Sequence, residues 1–291
     1  MFERRSVIAS SGQTRPVVPA TGSHLGAKFA EDLLLAVRVS VVIPTLNEAA
    51  NLPGVFEGLP ANLFEVVVVD GGSRDDTARV ARSLSANVRV IQQSRPGKGQ
   101  ALLEGFLACR GDVIVALDGD GSMSPAEIPQ FVARLVEGAD FVKGSRFLHG
   151  AGSDDITWVR RMGNSSLRAL VNALYRTRYT DLCYGYVAFW AHCLANVLPD
   201  CDGFEVETLM SIRASTTGLR IVEIPSFEAN RLHGESKLHP LSDVVRVMRT
   251  ILAERLRGRP SDPPWPAQPV RRQPARDQAG LEQGAPGDRG R

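Results

Sequence analysis

Two aspartates stand two residues apart at the end of an apolar run, in the stretch ALDGDGSMSP that begins at Ala116. In extended backbone, residues i and i+2 point to the same side, so Asp118 and Asp120 can face one cation. Without a cation, two carboxylates about 4 Å apart repel each other by about 4 kcal/mol at an effective dielectric constant of about 20. With no soft ligand nearby, the pair favours Mg²⁺ or Mn²⁺, which can bridge to a diphosphate. A plain Asp-Gly turn is the alternative.

Three familiar binding motifs are excluded. The run VVIPTLNEAAN lacks the glycines of a dinucleotide-binding GxGxxG motif. In PGKGQ, Gly99 follows the lysine where a Walker loop needs Ser or Thr. DGDGSMSPAEIP has Met123 and Pro129 where a calcium-binding EF-hand loop needs glycine and glutamate. The carboxylate pair therefore remains as a metal site or a turn.

Apolar runs alternate with helical patterns along the chain. The predicted strands cover 38–44, 64–70, 88–93, 112–118, 139–146 and 219–226. The predicted helices cover 47–59, 74–86, 99–110, 124–138, 161–176, 205–218 and 239–258. Apolar strands separated by helices of about ten residues indicate an α/β fold, a single domain with a mostly parallel sheet covered by helices.

Polar residues gather where four of these strands end, at 44–48, 70–73, 118–120 and 143–146. In parallel α/β sheets, ligands bind beyond the carboxyl ends of the strands. Four such ends contain more polar and charged groups than turns require. The pattern predicts a ligand site along this edge of the sheet.

Composition narrows the class of protein. A formal net charge of +2 over 291 residues is too small for a general nucleic-acid binder. No run reaches the roughly 18 apolar residues of a membrane-spanning helix. The four cysteines form no CxxC pair, and no signal peptide is recognisable, so we expect reduced thiols in a cytoplasmic protein.

The two ends differ in composition from the middle. Residues 1–37 are rich in small polar residues and are expected to form a mostly disordered extension. From residue 259 to 291 the chain is rich in Pro and Arg and is also expected to be disordered. The predicted catalytic domain spans 38–258.

Five blocks in order carry a resemblance to a known family: VVIPTLNEAANL, VVVVDGGSRDDT, GKGQALLEGFLACRGDVIVALDGDGS, VKGSRF and VEIPSFEANRLHGESKL. Together they resemble the inverting GT-A glycosyltransferases of family 2, most closely the dolichol-phosphate (polyprenyl-phosphate) mannosyltransferases. The likeness runs from about 39 to 251. It implies a GT-A nucleotide-diphospho-sugar transferase fold, a nucleotide-sugar donor and Mg²⁺ or Mn²⁺ as cofactor.

The resemblance implies roles for residues of the donor pocket. Pro44, Leu46 and Glu48 would line the nucleoside pocket, and Asp70 would contact the base or ribose. Lys98, in the GKG element, would contact a phosphate or the base.

The metal site follows from the same resemblance. Asp118 and Asp120 would be the DxD pair that holds the metal and the diphosphate, with Gly119 between them against the donor. Ser122 would stand beside the metal, where the closest relatives carry glutamine.

Several basic residues match phosphate-facing positions of the family. Arg146 matches the arginine of its GSR element, and Arg231 and Lys237 match its R-x-x-G-x-S-K element. Arg160, or less favourably Arg161, would face the acceptor phosphate.

Two departures from the family pattern concern the donor. Gly71 replaces the second aspartate that usually follows the second strand, and TLNE at 45–48 lacks an aromatic residue near the nucleoside. GDP-mannose is the favoured donor, and UDP-glucose is the alternative.

Two acceptor classes remain open, with a polyprenyl phosphate favoured. A lipid phosphate is already an anion and needs no general base. A hydroxyl acceptor, such as a glycan, a glycolipid or a secondary metabolite, would need Glu205 or Glu207 as base. A non-catalytic nucleotide-sugar-binding protein is a further alternative.

The last predicted helix, 239–258, allows peripheral contact with the inner face of a membrane. It carries Arg246, Arg249, Arg255 and Arg257 beside an apolar face. The alternative is a helix that packs only on its own domain.

Overall fold

The fold is described from a computed structural model, over residues 18–19, 26–234 and 240–257. The strands are Val18–Pro19 (β1), Val39–Thr45 (β2), Glu65–Asp70 (β3), Val88–Gln92 (β4), Val113–Ala116 (β5), Phe141–Ser145 (β6), Gly152–Ser153 (β7), Val187–Trp190 (β8), Ile221–Pro225 (β9) and Phe227–Glu228 (β10). The helices are Ala27–Ala36 (α1), Leu52–Glu57 (α2), Thr77–Leu84 (α3), Lys98–Ala108 (α4), Ile128–Val136 (α5), Trp158–Tyr175 (α6), Leu194–Val197 (α7), Val206–Thr216 (α8) and Pro240–Arg257 (α9).

Eight of the strands form one sheet in the order β1-β9-β6-β8-β5-β2-β3-β4. All neighbours in this sheet are parallel except β8, which runs antiparallel to β5 and β6. The predicted α/β fold with a mostly parallel sheet is confirmed. Strand β8 was not predicted, because its four residues VAFW form too short a run to be distinguished from a buried turn. A small separate pair joins β10 to β7.

Helices cover both faces of the sheet because the central strands bury both sets of side chains. Val41 and Ile43 of β2 belong to one apolar layer, whereas Val42 belongs to the other. The first layer is completed by side chains of α1, α2, α3 and α5. The second is completed by side chains of α4, α6, α8 and α9. A strand that is buried on both faces is apolar throughout, which is the pattern seen in the sequence.

Helix α1 lies within the segment 1–37 that is expected to be mostly disordered. Leu33 and Leu34 of this helix are buried in the first apolar layer, against α5. The burial of two leucines offsets the loss of chain entropy on ordering. The domain limits at 37–38 and 258–259 stay predictions, and residues 259–291 lie outside the described part of the chain.

Two element ends differ from prediction at the site edge. The helix predicted at 47–59 is only α2, because Asn47 adopts a left-handed φ of 56° and Pro53 stands in the first turn. The strand predicted at 112–118 ends at Ala116. The two aspartates therefore lie in the loop after β5 rather than on extended backbone.

Within the described ranges, each helix is too short or too polar to cross a bilayer.

Candidate active site

A cavity of about 650 Å³ lies at the carboxyl ends of β2 and β5. Most of the residues predicted from the sequence line it: Pro44, Leu46, Glu48, Lys98, Asp118, Gly119, Asp120, Ser122, Arg146, Arg160, Glu207 and Arg231. The parallel strands thus bring together groups that are far apart in sequence, as expected for this class of sheet. Their functional roles stay predictions.

Asp118 is paired with a lysine. The Nζ atom of Lys98, in the first turn of α4, lies 2.7 Å from Asp118 Oδ1 and 2.8 Å from Glu207 Oε1. Burial raises the pKa of Asp118 to about 6, with the charges of Asp120 and Glu207 adding to burial and Lys98 opposing it. Burial alone would lower the pKa of Lys98, but the two carboxylates outweigh it and raise that pKa.

Asp120 is held from the other side of the loop. Its carboxylate accepts a hydrogen bond from the backbone N–H of Ser122 at 3.0 Å and one from Arg231 Nη2 at 2.8 Å. Burial opposes ionisation of Asp120, but these partners outweigh burial and lower its pKa. The backbone N–H of Leu232 donates to the carbonyl of Asp120 at 3.1 Å, so the loop and the Arg231 segment form one unit.

The loop fits a hard cation in its donor chemistry. Asp118 and Asp120 both line the cavity, and Ser122 beside them adds a hydroxyl oxygen. Burial is the main cause of the raised pKa of Asp118, and the charges of the nearby carboxylates Asp120 and Glu207 add to it. Two carboxylates are the usual protein share of a Mg²⁺ site that substrate phosphates complete. The pair therefore fits the predicted metal, although the extended i, i+2 geometry first invoked for it is wrong.

Among the described residues, a group of three close metal-ligating side chains occurs elsewhere, at Asp140, His192 and Cys193. These residues lie at the opposite ends of the strands. None of them lines the cavity.

Glu48 and Arg231 connect the donor-side loop to the aspartate loop. Arg231 Nη1 lies 3.7 Å from Glu48 Oε1. The side chain of Asn51 donates both to Glu48 and to the carbonyl of His233, the latter at 3.1 Å. The backbone N–H of Glu48 donates to Thr77 Oγ1 at 2.8 Å. These bonds fix a carboxylate and a guanidinium at the cavity wall.

Asp70 does not line the cavity, and its predicted contact with the base or ribose stays a prediction. It is buried at the end of β3, where it accepts from the backbone N–H of Ser73 at 3.3 Å. Gly71 and Gln93 line the cavity instead. The backbone N–H of Gly71 donates to the carbonyl of Thr45 at 2.8 Å, and a side chain at Gly71 would crowd that oxygen.

Arg146 lines the cavity but is mostly buried, and its predicted phosphate contact stays a prediction. Its guanidinium donates to both oxygens of Asp181, at 2.7 and 3.0 Å, and to Glu228 at 3.0 Å. A fourth hydrogen bond goes to the carbonyl of Cys183 at 3.2 Å. These hydrogen bonds engage most of the guanidinium donors, so a phosphate contact would require an exchange of partners.

The two arginines considered for the acceptor phosphate separate in the structure. Arg160 lines the cavity, and its Nη1 lies 2.6 Å from Asp155 Oδ2. Arg161 is exposed and lies over the ring of Phe147, with 5.5 Å from its guanidinium carbon to the ring centroid. The favoured position, Arg160, is the one that faces the cavity.

The two candidate bases separate in the same way. Glu207, in the first turn of α8, lines the cavity and is paired with Lys98. Glu205 is buried, accepts from the backbone N–H of Gly203 at 3.3 Å, and is not part of the lining. Lys237 lies outside the described residues.

A second section of the cavity escaped the sequence analysis. It runs between α6 and α9 and is lined mainly by apolar side chains: Ile156, Val159, Met162, Leu167, Val244 and Val247. The sequence predicted both helices. It could not show that one edge of each faces a shared cavity, because that depends on how the two helices pack.

The sequence is similar to those of known proteins. Residues 40–195 match glycosyl transferase family 2. An uncharacterized glycosyltransferase of Mycobacterium tuberculosis is 35% identical over 201 residues, which are 69% of this chain and 89% of the relative. The dolichol-phosphate mannosyltransferase of Pyrococcus furiosus is 32% identical over 211 residues, which are 69% of this chain and 59% of that protein.

The fold is also similar to a solved enzyme structure. Glucosyl-3-phosphoglycerate synthase of Mycobacterium tuberculosis, in complex with Mn²⁺, UDP-glucose and phosphoglyceric acid, matches with a TM-score of 0.67 and 25% identity. The match covers 84% of this chain and 89% of that chain. This likeness confirms the expected GT-A fold.

Proposed function

The chain belongs to glycosyl transferase family 2 and is a glycosyltransferase, and from this premise we propose that it moves a hexose from a nucleotide-diphosphate sugar to a polyprenyl phosphate, with inversion. GDP-mannose is the favoured donor, and UDP-glucose is the alternative. The enzyme would work at the cytoplasmic face of a membrane that holds the acceptor.

The apolar section of the cavity between α6 and α9 is the observation that carries this proposal. It continues directly from the part that contains Asp118 and Asp120. Arg160 lies on the same wall as the apolar residues Val159 and Met162. A cationic group next to an apolar channel matches an acceptor with a phosphate head and a hydrocarbon chain. A small polar acceptor would have no apolar group to bind in that channel.

The pairing of the carboxylates supports the same acceptor class. A hydroxyl acceptor needs a carboxylate that can take its proton within hydrogen-bond reach. Glu207 is engaged by Lys98, and Glu205 does not line the cavity. A lipid phosphate attacks as an anion, so it needs only to be positioned. Arg160 would bind its oxygens and direct one of them toward the anomeric carbon, on the face opposite the leaving diphosphate.

A divalent ion, Mn²⁺ or Mg²⁺, is part of the proposal. The similar synthase structure contains Mn²⁺ with UDP-glucose, and Asp118, Asp120 and Ser122 have the donor chemistry for such an ion. When bound, it would supply Lewis-acid stabilisation of the diphosphate.

The chain's own cations would act on the leaving group. Arg231 lines the cavity next to Asp120, and Lys98 lies next to Asp118. As the glycosidic bond breaks, negative charge grows on the diphosphate, and these fixed cations would stabilise it more than they stabilise the bound donor. Lys237 would act in the same way.

The similar proteins support two alternatives for the base of the donor nucleotide, guanine and uracil. The Pyrococcus furiosus relative is named for mannosyl transfer to dolichol phosphate, which favours GDP-mannose. The similar synthase structure contains UDP-glucose. Gly71, where the family usually has aspartate, removes one charged contact near the nucleoside, so the donor must be tested directly.

A phosphorylated small acid is a second candidate acceptor, because the fold match extends to a synthase crystallised with phosphoglyceric acid. The test is incubation of the full chain with Mn²⁺, labelled GDP-mannose or UDP-glucose, and either polyprenyl phosphate in detergent or phosphoglyceric acid. The proposal expects label in the organic phase. Label that appears only in a water-soluble product would replace the lipid acceptor by the small acid.

A further inference from the structure

Four apolar side chains of α9 face away from the protein. They are 52%, 41%, 48% and 87% exposed, in the order Val245, Met248, Leu252 and Leu256. The spacing i, i+3, i+7, i+11 places them along one side of the helix. Val247 and Ile251, on the opposite side, are buried in the core. We call the four exposed residues the outer stripe.

Positive charge borders the outer stripe on both sides. Arg249 and Arg255 are exposed, and neither forms an ion pair with another described residue. The acidic residues of α9 are engaged elsewhere: Glu254 pairs with Arg213 at 3.0 Å, and Asp243 lines the cavity. The outward side of α9 is therefore apolar along its middle and cationic along its edges.

The outer stripe lies on the same helix as part of the cavity wall. Val244, the neighbour of Val245, lines the cavity, and so do Val159 and Met162 of α6. Val159 and Met162 are also 60% and 50% exposed, so they form an apolar rim at the opening. An exposed apolar surface of this extent next to a binding site indicates an interaction surface.

We infer that the outer stripe docks on the surface of an anionic lipid bilayer. Helices with an apolar stripe between basic residues lie in the plane of the membrane interface, with apolar side chains among the acyl chains and arginines at the lipid phosphates. Docking in this way brings the cavity mouth to the membrane surface. Such docking would serve transfer to a membrane lipid, and the inference therefore rests on the proposed function.

A second copy of the chain fits this surface less well. In a two-fold dimer through the outer stripe, Arg249 and Arg255 would approach the same arginines of the partner. Juxtaposed like charges oppose such an interface. Anionic lipid headgroups instead complement them.

The test is sedimentation of the full chain with vesicles of phosphatidylcholine, with or without phosphatidylglycerol. We expect binding to the anionic vesicles that weakens with salt. Leu252→Glu should reduce the partition coefficient at least about tenfold, because a charge replaces a group inserted among acyl chains. Leu107→Glu is the matched control, because Leu107 on α4 is 46% exposed and should bind like the parent protein.

The charge contribution has its own pair of variants. Arg249→Gln with Arg255→Gln should weaken binding about fivefold for each arginine and reduce its salt dependence. Arg82→Gln with Arg110→Gln, two exposed arginines on α3 and just after α4, should have no effect.

Three outcomes would overturn the inference. They are no binding to anionic vesicles, equal binding by Leu252→Glu and Leu107→Glu, or a dimer in sedimentation velocity that Leu252→Glu abolishes. The vesicle assay contains neither donor nor acceptor. Failure of docking with lipid-linked product still formed removes only this inference, whereas docking without any such product removes only the proposed acceptor.

Discussion

The ammonium group of Lys98 lies 2.8 Å from a carboxylate oxygen of Glu207, across the floor of the cavity. The same nitrogen lies 2.7 Å from Asp118. One lysine therefore ties the start of α4 to the first turn of α8 and to the loop after β5. The position of the aspartate that would hold the donor diphosphate depends on this contact.

Replacing Lys98 by methionine should destabilise the protein. Two largely buried carboxylates would lose their shared countercharge, so we expect the free energy of unfolding to fall by about 2 kcal/mol. Urea denaturation of the parent and the variant measures this directly. Lys98→Arg is the control that keeps the charge and should retain most of the stability. An unchanged denaturation midpoint for Lys98→Met would contradict the structural role given to the pair.

The pair of Arg146 and Glu228 should show strong coupling. Arg146→Met and Glu228→Gln each leave a buried charged or polar group without its partner, so each should lower stability by about 3 kcal/mol. The double variant should lose less than the sum, with a coupling energy of about 1–3 kcal/mol. Because the guanidinium of Arg146 is bonded within the protein, Arg146→Lys should lower the free energy of unfolding and leave the Michaelis constant for the donor nearly unchanged. The reverse pattern would support the phosphate contact predicted from the sequence.

Glu223 should give the stability a distinct pH dependence. Burial raises the pKa of Glu223 from 4.5 to about 7, against the opposing hydrogen bonds from Thr180 and Asp181 and the charge of Lys143. The folded state therefore binds a proton that the unfolded state releases between about pH 4.5 and 7. The contribution of Glu223 is full below about pH 4.5 and is lost as the pH rises through about 7.

Substitution isolates that contribution. The difference in unfolding free energy between the parent and Glu223→Gln should shift by up to about 3 kcal/mol across this pH window, in favour of the variant at high pH. Glu57→Gln, at the exposed end of α2, is a suitable control. A difference that stays constant with pH would show that Glu223 is ionised throughout.

Val244 and Val245 provide a test of the apolar channel. Val244 lines the cavity, whereas Val245 points away from the protein. Val244→Asn should raise the Michaelis constant for a long polyprenyl phosphate in detergent about tenfold, because a polar amide replaces an apolar wall. Val245→Asn should leave it unchanged in detergent, where no bilayer is present. Equal effects of the two variants would argue against a hydrocarbon chain between α6 and α9.

Much of the site was predictable because strands of a parallel sheet end at one edge. The sequence motifs identified four residues that the fold brings into one cavity: Asp118, Asp120, Lys98 and Arg231. The destination of each side chain was less predictable. Asp70 is buried at the end of β3, and Arg146 pairs with Asp181 and Glu228. Their partners come from distant segments, and local sequence patterns do not show how those segments pack. The apolar channel was missed for the same reason.

The most direct test of the account is transfer of labelled hexose by the parent protein and by Asp120→Asn, with Mn²⁺ present or chelated, to a polyprenyl phosphate. We predict lipid-linked label only for the parent with Mn²⁺, and a loss of at least about a thousandfold in rate for Asp120→Asn, since both the cation and its hold on the diphosphate are affected. Asp76→Asn, at the exposed residue that precedes α3, should retain full activity. Undiminished transfer by Asp120→Asn, or by the parent protein without a divalent ion, would contradict the central claim.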